Sequence, residues 1–68
     1  MTCTIDIVRH AADIAASGRA VTVELIARAW GRSYGSTHRM VKHAASMKWI
    51  DPVTLVPTPT GLEVCGRA

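Results

Sequence analysis

The sequence predicts a mainly α-helical domain with one small β-hairpin, an α+β fold in the order helix, strand, helix, helix, strand, strand, helix. Three observations support this fold class. Apolar residues recur at helical spacing in three segments, two short apolar pieces flank a proline-containing turn, and a threonine–proline pair precedes a last apolar segment. The chain has 68 residues, enough for one domain, which we assign to residues 1–68.

The first helix is predicted over residues 4–17. Its apolar residues fall on one half of a 3.6-residue wheel and its polar residues on the other. Thr4 or Thr2 is placed to cap its start, and Gly18 supplies the left-handed residue that ends it. The apolar arc is wider than a small core needs, so we expect part of it to form a subunit interface.

Two further helices follow a short extended piece at residues 20–21. Thr22 is placed to cap a helix over Val23–Trp30, and Gly31 breaks that helix. Ser33 is placed to cap the third helix, which we predict over about residues 33–47. The two helices are thus joined by a tight glycine turn.

The carboxyl-terminal part predicts the hairpin and the last helix. Residues 49–50 and 55–56 predict two strands, and residues 51–54 predict the turn between them. Thr58 as a cap, with Pro59 at the first helical position, predicts a last helix that ends before Gly66.

Positive charge is concentrated in one part of the chain. The net charge is only +3, but residues 25–50 contain five Lys or Arg, two of the three His and no acid. Such segregation produces a local positive field, and a basic helix behind a tight turn suits contact with a polyanion. Because solvated basic faces are also common, the charge pattern alone leaves both interpretations open.

Cysteine and histidine spacing argues against a metal site. Cys3 and Cys65 have no CxxC or HxxxH partner, which favours two thiols over a disulfide between the termini or a zinc site. His38 and His43 are five residues apart, so they do not stack on one helix face as an i, i+4 pair would.

Catalysis and membrane insertion are also disfavoured. The sequence has no nucleophile and base at a credible spacing and no glycine-rich phosphate loop, so we expect neither an enzyme nor a bound cofactor. It has no bilayer-spanning apolar run and no secretory signal pattern at its amino terminus. We therefore expect a cytoplasmic protein.

Four segments of the chain resemble a known family. They are residues 21–27, 30–33 and 37–41, and residues 55–61, which are similar to that family's strand leading into the last helix. Over roughly residues 20–64 the chain resembles winged helix-turn-helix DNA-binding domains of bacterial or phage transcription regulators, such as the multiple-antibiotic-resistance regulator family. Ala27, where the two helices cross, and Gly31, at the turn, stand at the expected offsets. The chain departs from the family pattern at Thr37, where an aliphatic residue is usual, and in a wing tip without Lys or Arg.

The resemblance implies that the third helix enters the DNA major groove with its amino-terminal half facing the bases. The candidate DNA-binding residues are Arg32, Ser33, Tyr34, Gly35, Ser36, His38, Arg39 and Lys42. Arg39 is the first candidate for a guanine edge, with a phosphate contact or a solvated charge as the alternative. We expect Lys42 to touch phosphate, and for Ser33 a helix cap is the simpler role. Trp30 and Trp49 are expected in the core, with base stacking as the minor alternative.

The predicted function is that of a small, sequence-specific, double-stranded DNA-binding transcription regulator, with repression as the simplest mode for a short chain. A single module makes few phosphate contacts, so we expect a homodimer through the first and last helices. The candidate contacts are Ile7, Ile14, Leu62 and Val64. The main alternative is a protein-docking module or small inhibitor that binds an acidic protein surface. General nucleic-acid binding, RNA included, also stays open. The outward side of the third helix, predicted to carry no apolar residue, favours DNA.

Overall fold

The structure, a computed structural model, describes residues 3–67, with Cys3 described by its backbone alone. Its helices are α1 (Cys3–Ala16), α2 (Val23–Trp30), α3 (Tyr34–Ser46) and α4 (Pro59–Val64). Within residues 3–67 no strand or sheet forms. The predicted α+β fold class is therefore wrong: this part of the chain is all-helical.

The α1 helix is central and contacts the three other helices. Ile7, Val8 and Ala11 are fully buried, and Ile14 is 5% exposed. The centre of the apolar arc of α1 is thus covered by the chain's own helices, because three neighbours surround it. Ile7 and Ile14, two of the four candidate dimer contacts, are therefore occupied by contacts within one chain, and the homodimer itself stays a prediction.

The start of α1 also differs from the prediction. The helix begins at Cys3, so Thr4 lies within it and does not precede it as a cap; Thr2 lies outside the described residues. Thr4 is buried, and its hydroxyl forms a 2.9 Å hydrogen bond with Nδ1 of His43. This bond ties the first turn of α1 to the carboxyl-terminal half of α3.

The ends of α2 and α3 confirm the sequence prediction. The Thr22 side chain accepts a hydrogen bond from the Leu25 N–H, and Ser33 accepts one from the Ser36 N–H. Gly31 takes the left-handed conformation, with φ 74°, and its N–H donates to the Ala27 carbonyl at 2.8 Å. Gly31 is required here because a side chain would strain this conformation.

The predicted hairpin is replaced by a tight loop. A single antiparallel bridge pairs Ile50 with Pro57. The Asp51 carboxylate accepts hydrogen bonds from the N–H groups of Val53 and Thr54, at 2.7 and 3.0 Å, and Leu55 has a left-handed φ of 62°. The pairing does not extend beyond this bridge, because the N–H groups of Trp49 and Val56 donate to the Ala44 carbonyl and the Thr54 hydroxyl instead of across the loop.

The α4 helix docks closely against the end of that loop. Thr58 caps α4, and its hydroxyl also donates to the Lys48 carbonyl at 2.6 Å. The Thr58 N–H donates to the Trp49 carbonyl at 2.9 Å. A Cβ on the buried Gly61 would overlap the same Trp49 carbonyl oxygen. Glycine at position 61 therefore permits the contact between α4 and the backbone at residue 49.

The rest of the core lies between α1 and the other helices, and its fully or nearly buried members include Ile26, Val41, Ala44, Ile50 and Cys65. Thr37 is fully buried there too, and its hydroxyl donates to the Ser33 carbonyl at 2.8 Å. Hence a threonine is tolerated where an aliphatic residue was expected.

Both tryptophans are partly buried and pack against this core, as predicted. No helix among residues 3–67 has the length and apolar character that crossing a bilayer requires.

Candidate nucleic-acid interface

The α2 and α3 helices pack against each other and are joined by residues 31–33 alone. Two short helices on a turn of this length, with a glycine in it, have the layout of a helix-turn-helix unit. Gly31 reverses the chain and Ser33 begins α3, so the turn sets where α3 leaves the core. The short connection thereby fixes which side of α3 faces outward.

One side of α3 is buried and the opposite side is open. Thr37, Val41 and Ala44 are buried, at the i, i+4, i+7 spacing of a single helix face. Gly35, Arg39 and Lys42 project from the opposite side; we call these three residues the α3 ridge. All eight residues predicted to bind DNA are exposed. The structure thus places Arg32, Ser33, Tyr34, Gly35, Ser36, His38, Arg39 and Lys42 along the turn and the open side of α3.

Most cations of this region have no acidic neighbour. Arg28 is the exception, since its guanidinium donates to Glu24 at 3.3 Å in an exposed pair on α2. Within residues 4–67, Arg32, Arg39 and Lys42 form no ion pair. Two other acids are paired away from α3, as Asp6 with Arg9 and Asp13 with Arg67. The positive field along α3 is therefore not neutralised by neighbouring carboxylates.

Two of the predicted residues have specific local roles. Ser33 is the helix cap, and its hydroxyl also donates to the Ser36 hydroxyl at 3.1 Å. The capping role predicted for Ser33 is confirmed, and neither serine hydroxyl is fully free. The Tyr34 ring stacks on the His38 ring, with centroids 6.0 Å apart and planes at 13°.

A groove of about 400 Å³ runs beside the α3 ridge. Tyr34, His38 and Lys42 line one wall, together with Val41 and Ala45. The other residues that line it are Val23, Pro52, Val53 and Leu55. Tyr34 is 59% exposed and Val53 is 87% exposed. The outward face of α3 carries only polar or small side chains of its own, but the loop places an apolar wall alongside it at this flank.

The loop that replaces the hairpin carries no cation at its tip. Backbone N–H groups of Thr54 and then Val53 donate to Asp51, and they lower the pKa of its carboxyl below the ordinary value. The ionised Asp51 carboxylate thus stabilises the turn of this loop.

Two side-chain contacts near α3 were not predicted from the sequence. The Arg32 guanidinium carbon lies 5.1 Å from the centroid of the Trp30 ring, a cation–π contact across the turn. The Thr4–His43 hydrogen bond joins residues 39 positions apart. The first pair stands two residues apart on a glycine turn, so a stack was foreseeable in principle; the second depends on how α1 packs on α3.

Metal-binding geometry is not found among the described residues, where no three His, Cys, Asp or Glu side chains cluster. Cys65 is a buried free thiol. The possible pairing of Cys65 with Cys3 involves a side chain outside the described part of the chain.

Comparison of the chain with protein-family models, with curated proteins and with solved structures finds no match. The geometry and charge of the α3 surface are therefore what point to a function.

Proposed function

We propose that this protein is a small, sequence-specific regulator of transcription that binds double-stranded DNA through α3. The observation that carries the proposal is the α3 ridge: exposed, cationic, and without an acidic partner among residues 4–67. The wing implied by the family resemblance has no part in it. DNA contact would come from the α2–turn–α3 unit alone.

The dimensions of α3 suit the DNA major groove. Its 13 residues give a length of about 20 Å, and a major groove about 12 Å wide admits one helix. Gly35 presents no side chain, and a Cβ there would meet nothing within 4 Å. This part of α3 can therefore approach base edges closely.

Arg39 and Lys42 take different roles in the proposal. The planar fork of Arg39, near the middle of the ridge, can donate to guanine O6 and N7 together. Lys42 is a point charge one turn further along the helix, and it suits a phosphate oxygen. Arg39 would then provide sequence discrimination, and Lys42 would provide affinity for any duplex.

Repression by occupying a promoter is the simplest mode of regulation for a module of this size. Two copies on neighbouring half-sites would supply the phosphate contacts that one copy lacks. With Ile7 and Ile14 buried, the predicted contact reduces to the partly exposed Leu62 and Val64 on α4. The homodimer stays a prediction, which the mass in light scattering at micromolar concentration tests.

The proposal is tested by selecting bound fragments from a random duplex pool and measuring affinity for the selected site. Arg39→Ala is expected to cost about 1–3 kcal/mol on that site and to relax discrimination between sites. Lys42→Ala should weaken all duplexes alike. Arg9→Ala, which removes an exposed cation from α1, outside the α2–turn–α3 unit, is the matched control and should change little.

Two results would count against the proposal. The first is failure of the wild-type chain to retain any duplex at low salt. The second is an Arg39→Ala variant that binds the selected site as tightly as wild type, which would remove α3 as the reading helix.

A second candidate, a protein-docking module, is favoured by one observation. The groove beside α3 has an apolar wall, and Val53 at its edge is 87% exposed. Val53→Asn separates the two functions, because it makes the groove wall polar without adding a charge near Lys42 of the ridge. Docking on protein would be abolished by this change, whereas unchanged sequence discrimination on DNA would favour the regulator.

A further inference from the structure

We propose that Trp30 is a positioning residue that holds the Arg32 guanidinium against its indole ring and so presents Arg32 to a DNA phosphate beside α3. The inference rests on the proposed DNA-binding function and adds a specific phosphate anchor to it. Trp30 itself need not touch DNA.

The backbone that carries the Trp30 and Arg32 side chains is held in place by hydrogen bonds and core packing. Trp30 is the last residue of α2 and packs against the core, and the Arg32 guanidinium carbon lies 5.1 Å from its ring centroid. The N–H groups of Gly31 and Arg32 both donate to the Ala27 carbonyl, at 2.8 and 3.2 Å. Both the ring and the origin of the arginine side chain are therefore held in place.

Arg32 is an unusual cation within this region. Arg28, one turn earlier, is engaged by Glu24, whereas Arg32 forms no ion pair within residues 4–67. A guanidinium stacked on an aromatic face keeps its N–H donors free at the edge, and these match the oxygens of a phosphate. The stack therefore restricts the side chain without using its hydrogen bonds.

The position of Arg32 suits a backbone contact. It directly precedes Ser33, the cap of α3, so it lies at the amino-terminal end of the helix proposed to enter the groove. Phosphates border the groove on both sides, and contacts to them fix the register of a reading helix. An arginine already held in one place loses less freedom on binding than an unrestrained one.

Affinity for the selected duplex is measured between about 50 and 200 mM salt. Arg32→Ala should lower the slope of log K against log salt by about 1, the change expected for one lost phosphate contact. Trp30→Leu should weaken binding roughly two- to five-fold and leave the slope near that of wild type, since the charge is still present. Trp30→Phe, which keeps an aromatic face, should recover most of the affinity.

A double-mutant cycle separates positioning from a structural role. In an Arg32→Ala background, Trp30→Leu should cause no further loss of DNA affinity, because there is no guanidinium left to position. Arg32→Lys is a second variant that leaves the core intact, so it keeps the test decisive if Trp30→Leu unfolds. It should retain the salt slope and lose affinity by a similar factor, because an ammonium lacks the planar face. Arg28→Ala is the control and should leave the salt slope near the wild-type value.

Three results would overturn the inference. These are an equal loss of affinity from Trp30→Leu with and without Arg32, an unchanged salt slope in Arg32→Ala, and wild-type affinity in Arg32→Lys. In each case the duplex would still be bound and the proposed function would stand. Failure of the wild-type chain to bind duplex would remove both, so the two failures are distinguishable.

Discussion

Gly61 and Gly35 are both helical glycines, yet the structure predicts opposite effects when each is replaced by alanine. A Cβ at position 35 would meet nothing within 4 Å, whereas one at position 61 would overlap the Trp49 carbonyl. Alanine is favoured over glycine in a helix by about 1 kcal/mol. The environment of the new methyl group should therefore decide the sign of each substitution.

The magnitude at position 61 follows from the atoms involved. The carbonyl carbon of Trp49 would lie 2.8 Å from the new Cβ, so the backbone must shift. Overpacking of this kind costs about 1–3 kcal/mol. The shift would also strain the Thr58 bonds to the carbonyls of Lys48 and Trp49, each worth about 1 kcal/mol. After subtraction of the propensity gain, Gly61→Ala should lower the free energy of unfolding by about 2–4 kcal/mol.

Thermal unfolding followed by circular dichroism measures the stability of both variants. At about 4–8 °C per kcal/mol for a domain of this size, Gly61→Ala should lower the melting temperature by at least about 8 °C. Gly35→Ala should raise it by a few degrees. The same methyl group stands on the α3 ridge, so Gly35→Ala should also weaken DNA binding. Equal melting temperatures for Gly61→Ala and the wild type would refute the close contact between α4 and residue 49.

Two further predictions concern the segment between α3 and α4. Thr58→Ala should lower the free energy of unfolding, measured in urea, by about 1–2 kcal/mol, because the hydroxyl caps α4 and also binds the Lys48 carbonyl. Thr58→Ser should keep most of that stability. An equal loss in both variants would contradict the role of the hydroxyl. Because the pKa of Asp51 is lowered by the N–H groups of Thr54 and Val53, its contribution to stability is present above about pH 4 and is lost as the pH falls through the folded-state pKa. The wild-type melting temperature should therefore fall more steeply in acid than that of Asp51→Asn, and parallel curves would exclude this role.

The helices could be predicted from the sequence because their signals are local. Thr22, Ser33 and Thr58 cap the three later helices as expected, and Gly31 ends α2 in the left-handed conformation. Capping depends on groups within three or four residues of each other, so it is encoded where it acts. The start of α1 was less accurate, since the helix begins before Thr4.

The hairpin could not be decided by the same kind of signal. Short apolar pieces on either side of a proline turn are compatible with paired strands, but pairing requires free N–H groups on both sides. Here the N–H groups of Trp49 and Val56 donate to the Ala44 carbonyl and the Thr54 hydroxyl, and Leu55 turns the chain with a positive φ. The competing local hydrogen bonds prevailed, and a single bridge between Ile50 and Pro57 was left.

The sequence by itself determined three of the four helix starts, the turn between α2 and α3, and the absence of acid along residues 25–50, because each depends on neighbours in the chain. Only the tertiary structure decided that Ile7, Val8 and Ala11 of α1 are buried within one chain, that an apolar groove flanks α3, and that Thr4 bonds to His43. The physical reason is that a periodic pattern indicates which face of a helix avoids water. How many neighbours cover that face depends on the packing of the whole chain.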